Sequence, residues 1–223
     1  MNLICMWIGE LVPLSATMFS FIYGLNHFFK KGKPLFLQSI TMAMGCYALG
    51  SVYHLCQTLT TETVLEGFTP AYLGRIGFFL FLITASYGQM DRIVDDGSKK
   101  IRPYRYIALI APVLAALLYV PNAIIIELPI QTKIAVLLVW LPAVVAVYYN
   151  VKHAIIPDLD FGFIKAIKPY NVLAACLGFA ELLCLTAWDY FNDTLLVISS
   201  FAFAILCVAM MYAAKKGAEK WTI

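Results

Sequence analysis

The stretch from Thr194 to Lys216, TLLVISSFAFAILCVAMMYAAKK, decides the fold, because no charged side chain interrupts it until the lysine pair at its end. As an α-helix rising about 1.5 Å per residue, such a run spans a hydrocarbon layer of about 30 Å. A strand of a membrane barrel would alternate apolar and polar residues, and this run does not. A helix also satisfies its backbone groups internally, which lipid requires. The lysines mark where the run meets a charged membrane surface.

Working outward, the same pattern recurs at approximately Leu3–Phe29, Leu35–Leu59, Tyr72–Arg92, Tyr106–Ile126, Lys133–Lys152, Pro169–Tyr190 and Thr194–Ala214. The expectation is an all-α integral membrane protein, a seven-transmembrane helix bundle forming one domain over residues 1–223. Of the 223 residues, 62% are hydrophobic and 13% charged, about half the charged share of roughly 25% usual in soluble domains. A water-soluble fold is excluded, and no length remains for a separate soluble domain. Met1–Glu10 has no basic segment of the kind that opens a cleavable signal, so the first run is expected to stay in the membrane. The tail Lys215–Ile223 is too short for a catalytic output domain.

The charge distribution predicts orientation. Of the 16 Lys and Arg residues, only Arg75 and Lys133 fall on the side of the bundle where the chain starts. The other 14 lie in the loops after spans 1, 3 and 5 and in the tail. The positive-inside rule then places the N-terminus outside and the C-terminus in the cytoplasm, in a multi-pass plasma-membrane protein. The net charge of +3 is spread over short loops and forms no stripe, which argues against nucleic acid as a partner. The partner read directly is the lipid bilayer. Six cysteines, Cys5, Cys46, Cys56, Cys176, Cys184 and Cys207, all sit in apolar runs without metal-ligand spacing, so they read as reduced packing residues. No cofactor or metal motif is present.

Two short patterns suggest duplication. Lys30-Lys31-Gly32-Lys33-Pro34 enters span 2, and Lys165-Ala166-Ile167-Lys168-Pro169 enters span 6. The spans before them hold Pro13 and Pro142. Two parallel three-helix units joined by span 4 would follow, with a site between them, as in transporters built from repeats. In architecture this resembles the three-plus-one-plus-three plan of SWEET-type and PQ-loop transporters, although the Pro-Gln dipeptide of the latter does not occur. Asp91-Arg92 at the end of span 3 resembles the acidic-arginine pair of rhodopsin-like receptors. Span 7 has no mid-helix lysine for a retinal Schiff base, and an interfacial salt bridge is the expected role of the pair.

Ionisable side chains inside spans are costly and mark interior or watery positions. Four qualify: Glu10, His54, Arg75 and Glu181. The first three are predicted about 10 Å to the outer side of the membrane centre, with Glu181 nearer the centre. Each lies on a polar or small stripe at three-four spacing: Glu10, Pro13, Thr17, Ser20, Gly24 and His27 in span 1; Tyr47, Gly50, His54 and Gln57 in span 2; Arg75, Phe79, Leu82, Ser86 and Gln89 in span 3; Ala174, Gly178, Glu181, Leu185 and Trp188 in span 6. Arg75 is expected to draw Glu10, Glu181 or both into a pair. Tyr47, Tyr53, Trp140 and Trp188 lie where they would stack on a ligand, and His27 and His153 read as structural.

These stripes predict an outer-half cavity in which Glu10, Tyr47, His54, Gln57, Arg75, Glu181 and Trp188 bind a small polar or cationic ligand. The leading expectation is a small-solute transporter. One alternative is a receptor signalling through a separate cytoplasmic partner, with the acidic patch Asp91, Asp95 and Asp96 on its inner face; a homo-oligomer fits either reading. Another is an intramembrane enzyme acting on a lipid, with Glu181 and His54 as acid and base, although no H-E-x-x-H or G-x-S-x-G signature supports it.

Overall fold

Asn2 opens the first helix: its side-chain oxygen accepts the Ile4 N–H at 3.0 Å, supplying one of the partners that a helix start lacks. The Asn2 N–H also donates to both carboxylate oxygens of Asp193, at 3.1 and 3.0 Å. That contact ties the start of the first helix to the start of the last. The computed structural model describes residues 2–60, 68–91, 94–95, 97–124, 129–157, 163–189 and 192–221.

The helices are α1 (Leu3–Phe28), α2 (Leu35–Thr60), α3 (Pro70–Ile83), α4 (Arg102–Ala108), α5 (Ile110–Ile124), α6 (Ile130–Ile155), α7 (Phe163–Asp189) and α8 (Asp193–Trp221). α3 runs on as a π-helical stretch, Thr84–Asp91. Among the described residues there is no strand, and seven helical segments are long and apolar enough to cross a membrane. α4 and α5 together make the fourth of these, Arg102–Val120. By length and composition this is a membrane protein.

Several boundaries differ from those read in the sequence, and the reason is the same each time. Polar residues at a membrane surface do not end a helix; they only end its apolar stretch. The fourth segment therefore starts at Arg102, ahead of Tyr106, and the fifth at Ile130, taking Lys133 into its first turn. α7 begins at Phe163, so Pro169 lies inside it, whereas Pro34 directly precedes α2. The two Lys-x-x-Lys-Pro patterns thus occupy different places on their helices. Pro13 and Pro142 both sit within helices, as membrane-spanning helices tolerate.

α1 packs on α2 and α8, α2 on α3, α3 on α6, α6 on α7 and α7 on α8, which closes a ring. α5 lies against α6 and α7. Inside lipid the apolar effect gives no net drive between helices, so close backbone approach and interior polar contacts decide the packing. α2 and α3 meet through Gly50 and Gly74. A Cβ on Gly74 would stand 2.6 Å from the Gly50 Cα and 2.7 Å from the Cys46 carbonyl oxygen. Only hydrogen fits there.

Candidate functional site

α1 buries the stripe Glu10, Pro13, Thr17, Ser20 and Gly24, as its three-four spacing dictates, with Phe28 rather than the exposed His27 ending it. α2 carries Tyr47 inward and His54 two turns further on. The glycine contact brings α3 up against α2 beside Tyr47, so that Arg75, next to Gly74, faces the ring interior. From across the ring α7 presents Glu181, which is fully buried.

These side chains close a compact network. The Arg75 Nε donates to Glu181 Oε1 at 2.9 Å, and the Tyr47 hydroxyl donates to Glu181 Oε2 at 2.8 Å. The Arg75 guanidinium also lies 5.9 Å from the centre of the Tyr47 ring, an attractive placement for a cation on an aromatic face. Both oxygens of the buried carboxylate are therefore held. Glu10 bears electrostatically on Arg75 and Glu181, but its close partner is His54, whose Nδ1 stands 2.9 Å from Glu10 Oε1. That approach makes no hydrogen bond, and the contact is an ion pair only when the imidazole carries a proton. The His54 ring meets Trp188 edge-on at 5.8 Å.

Exposure is graded through the group: 28% for the His54 side chain, 24% for Arg75, 10% for Glu10 and none for Glu181. Gln57 lies one turn beyond His54 and is half-buried. Two aromatics of the expected set fall elsewhere. Tyr53 is exposed, and Trp140 packs on Tyr119 at 5.4 Å. Glu181 also sits in the same layer as Arg75, because α7 starts at Phe163 and its midpoint lies nearer residue 176 than the midpoint of Pro169–Tyr190. The missed signal is the run Phe163–Lys168, whose charges hid a helical start.

At the other end of the ring a second charged cluster forms, of which only an interfacial salt bridge at Asp91-Arg92 is expected from the sequence. The π-helical stretch closes its turns i to i+5, adding a residue per turn and turning the downstream face. Asp91, its last residue, meets Lys152 and His153 of α6; the His153 Nε2 contact is 2.8 Å. Asp95 receives the Arg105 Nε at 2.8 Å, the Gly97 N–H at 3.1 Å and the Lys152 ammonium at 3.2 Å, with a second Arg105 nitrogen on its other oxygen. Lys152 lies over the Tyr149 ring at 4.9 Å. At Asp95 burial works to raise the carboxyl, but Arg105, Gly97 and Lys152 bring it down to about 2. These two aspartates are therefore occupied and present no open acidic patch. Asp96 and Arg92 lie outside the described residues.

Between the clusters lies an apolar layer. Along α3 and its π-helical extension, Phe78, Phe79 and Leu82 separate Arg75 from Ser86, and with Met44 and Phe203 they are wholly buried. Below it the Ser86 hydroxyl donates to Asn150 Oδ1 at 3.1 Å. No protein-family model matches this chain, and no curated protein or solved structure is found to be similar to it.

Proposed function

We propose that the protein is a membrane carrier for a small polar or cationic solute, which binds at Glu10 and His54 over a fixed floor of Arg75, Glu181 and Tyr47. The charge count carries the reading. Glu10 and Glu181 share one permanent cation, Arg75, and Glu181 takes its direct hydrogen bond. A second carboxylate in a poorly hydrated interior needs a proton, a cation or a ligand ammonium. His54, 2.9 Å from Glu10, stands where such a ligand would enter. A ligand ammonium displaces the imidazole from Glu10 and swings it against Trp188.

In this reading the N-terminal end of the ring faces outward and the end bearing Lys30–Lys33 faces the cytoplasm of a cell bounded by the plasma membrane, an orientation that the lysine and arginine count supports. The units α1–α3 and α6–α8 rock about the apolar layer to change access. Their packing order supports this: α1 on α2 on α3 has its counterpart in α6 on α7 on α8. The layer and the lower cluster then form the inner closure.

The test is a thermal-shift series on the purified protein with methylammonium, tetramethylammonium and glycine as probes, followed by uptake of any binder into proteoliposomes. A ligand that binds only the folded state raises its stability by mass action. At least one probe raises the midpoint of the parent protein and leaves Glu10→Gln unmoved. If the parent and Glu10→Gln respond alike to every probe, the site is wrong. Binding without uptake leaves the receptor reading, which one feature favours: a single continuous span joins Arg75 to Asp91, and so links the site to the lower cluster.

A further inference from the structure

The two corners of the basic end balance their charges differently. On the side of α3, α4 and α6, Arg105 and Lys152 are matched by Asp95 and Asp91. On the side of α1, α2 and α8, the turn of Lys31 and Lys33 shares a hollow with Ala218 near the end of α8, where the sequence carries Lys215, Lys216, Glu219 and Lys220. Lys215 and Lys216 lie over the rings of Tyr23 and Tyr212, at 5.7 and 4.7 Å. Lys31 and Lys33 are exposed and make no ion pair with a described residue. Between their turn and α8 is a hollow of about 200 Å³ lined by Lys31, Gly32, Lys33, Pro34 and Ala218. α2 starts immediately beyond it with no acidic residue in its first turn, so the helix adds positive potential in the same direction.

We propose that this hollow binds the phosphate of an anionic phospholipid headgroup, with Lys31 and Lys33 as its cationic ligands. The chemistry asks for an anion: two exposed lysines line a concave surface at the boundary of an apolar helix pair, and no carboxylate of a described residue forms an ion pair with them. A phospholipid fits better than a free anion, because α1 and α8 beside the hollow expose Ile22, Leu25, Val208 and Tyr212, a flank on which acyl chains lie. Basic residues at a membrane surface attract anionic lipids, each lysine contributing separately. The site does not depend on the proposed solute site at the opposite end.

The experiment titrates the purified full chain with phosphatidylglycerol or phosphatidylcholine in detergent and counts retained lipid by native mass spectrometry. The parent retains phosphatidylglycerol in preference to phosphatidylcholine. The double variant Lys31→Gln/Lys33→Gln weakens that retention about 30-fold, the loss expected for two lysine contacts, while Lys99→Gln/Lys100→Gln, exposed lysines in the loop before α4, keeps it. Thermal unfolding checks that both variants fold. The proposal falls if Lys31→Gln/Lys33→Gln retains the preference, or if the control loses it equally, which would indicate only a diffuse surface potential. It falls also if inorganic phosphate or glycerol phosphate competes as well as the lipid, which would mark a free-anion site.

Discussion

The upper cluster of Glu10, His54, Arg75, Glu181 and Tyr47 and the lower cluster of Asp91, Asp95, Arg105, Lys152 and His153 use the same chemical groups and differ in their balance. With both imidazoles neutral, the upper cluster has two carboxylates against one cation, a net charge of −1, while the lower has two against two, a net charge of zero. The upper carboxylate that is fully buried depends on one cation; each lower aspartate has several donors. Redundant, balanced contacts suit a clasp between helices. An excess charge that shares a single permanent cation suits a site that exchanges a proton or a ligand.

The largest predicted effect tests that difference in redundancy. Arg75→Met leaves Glu181 buried without its cation, which costs about 3–5 kcal/mol for a broken buried pair. Lys152→Met removes a cation whose aspartates keep His153, Arg105 and Gly97, so its cost is closer to the 1.5–3 kcal/mol of a roughly typical charged hydrogen bond. Equilibrium unfolding in mixed detergent micelles measures both. Equal losses would erase the distinction between the clusters. Adding Glu181→Gln to Arg75→Met removes the stranded charge and restores much of the loss; a double variant as unstable as the single one would show that Arg75 acts by packing.

The next effect concerns how the upper cluster is positioned. Gly74→Ala places a methyl group against the backbone of α2, which cannot move aside as a side chain can. Overpacking of this kind costs about 1–3 kcal/mol, and the separation of α2 from α3 pulls Arg75 away from Tyr47. Probe binding should therefore fall further than stability does. Lys152→Met, at the other end, should leave probe binding nearly unchanged. If Gly74→Ala lowers stability while binding stays at the parent level, the site does not need the close approach of α2 and α3.

What was legible in the sequence follows the same physical divide. The spans were plain, because lipid permits few alternatives to a long apolar helix. Glu10, His54, Arg75 and Glu181 stood out because each is expensive within a span. Their pairing was not legible: Arg75 could reach either carboxylate by depth, and the choice depends on Gly74 setting the α2–α3 distance and on where α7 begins. Gly50 lies on the polar stripe of α2 and signals close approach; Gly74, with Leu73 exposed beside it, does not. The lower cluster was hidden because Lys152 and His153 look like ordinary interfacial residues, and because the π-helical stretch that aims Asp91 at them follows no apolar period.

The smallest effect is an acid one in the lower cluster. The Asp95 carboxyl is held at about 2, below its ordinary value of 3.8, so its ionised form favours the folded state. That contribution is complete above about pH 4 and is lost as pH falls from there through 2, because the unfolded chain takes up the proton first. Asp95→Asn should therefore be less stable than the parent at pH 6, by roughly 1 kcal/mol or less for a pair near the surface. At pH 2.5, between the ordinary value and about 2, the two should approach one another, as thermal unfolding in detergent measures. A gap of the same size at both pH values would mean that Asp95 holds the clasp by shape and hydrogen bonding, without its charge. The contrast with the upper cluster would then rest on redundancy of contact alone.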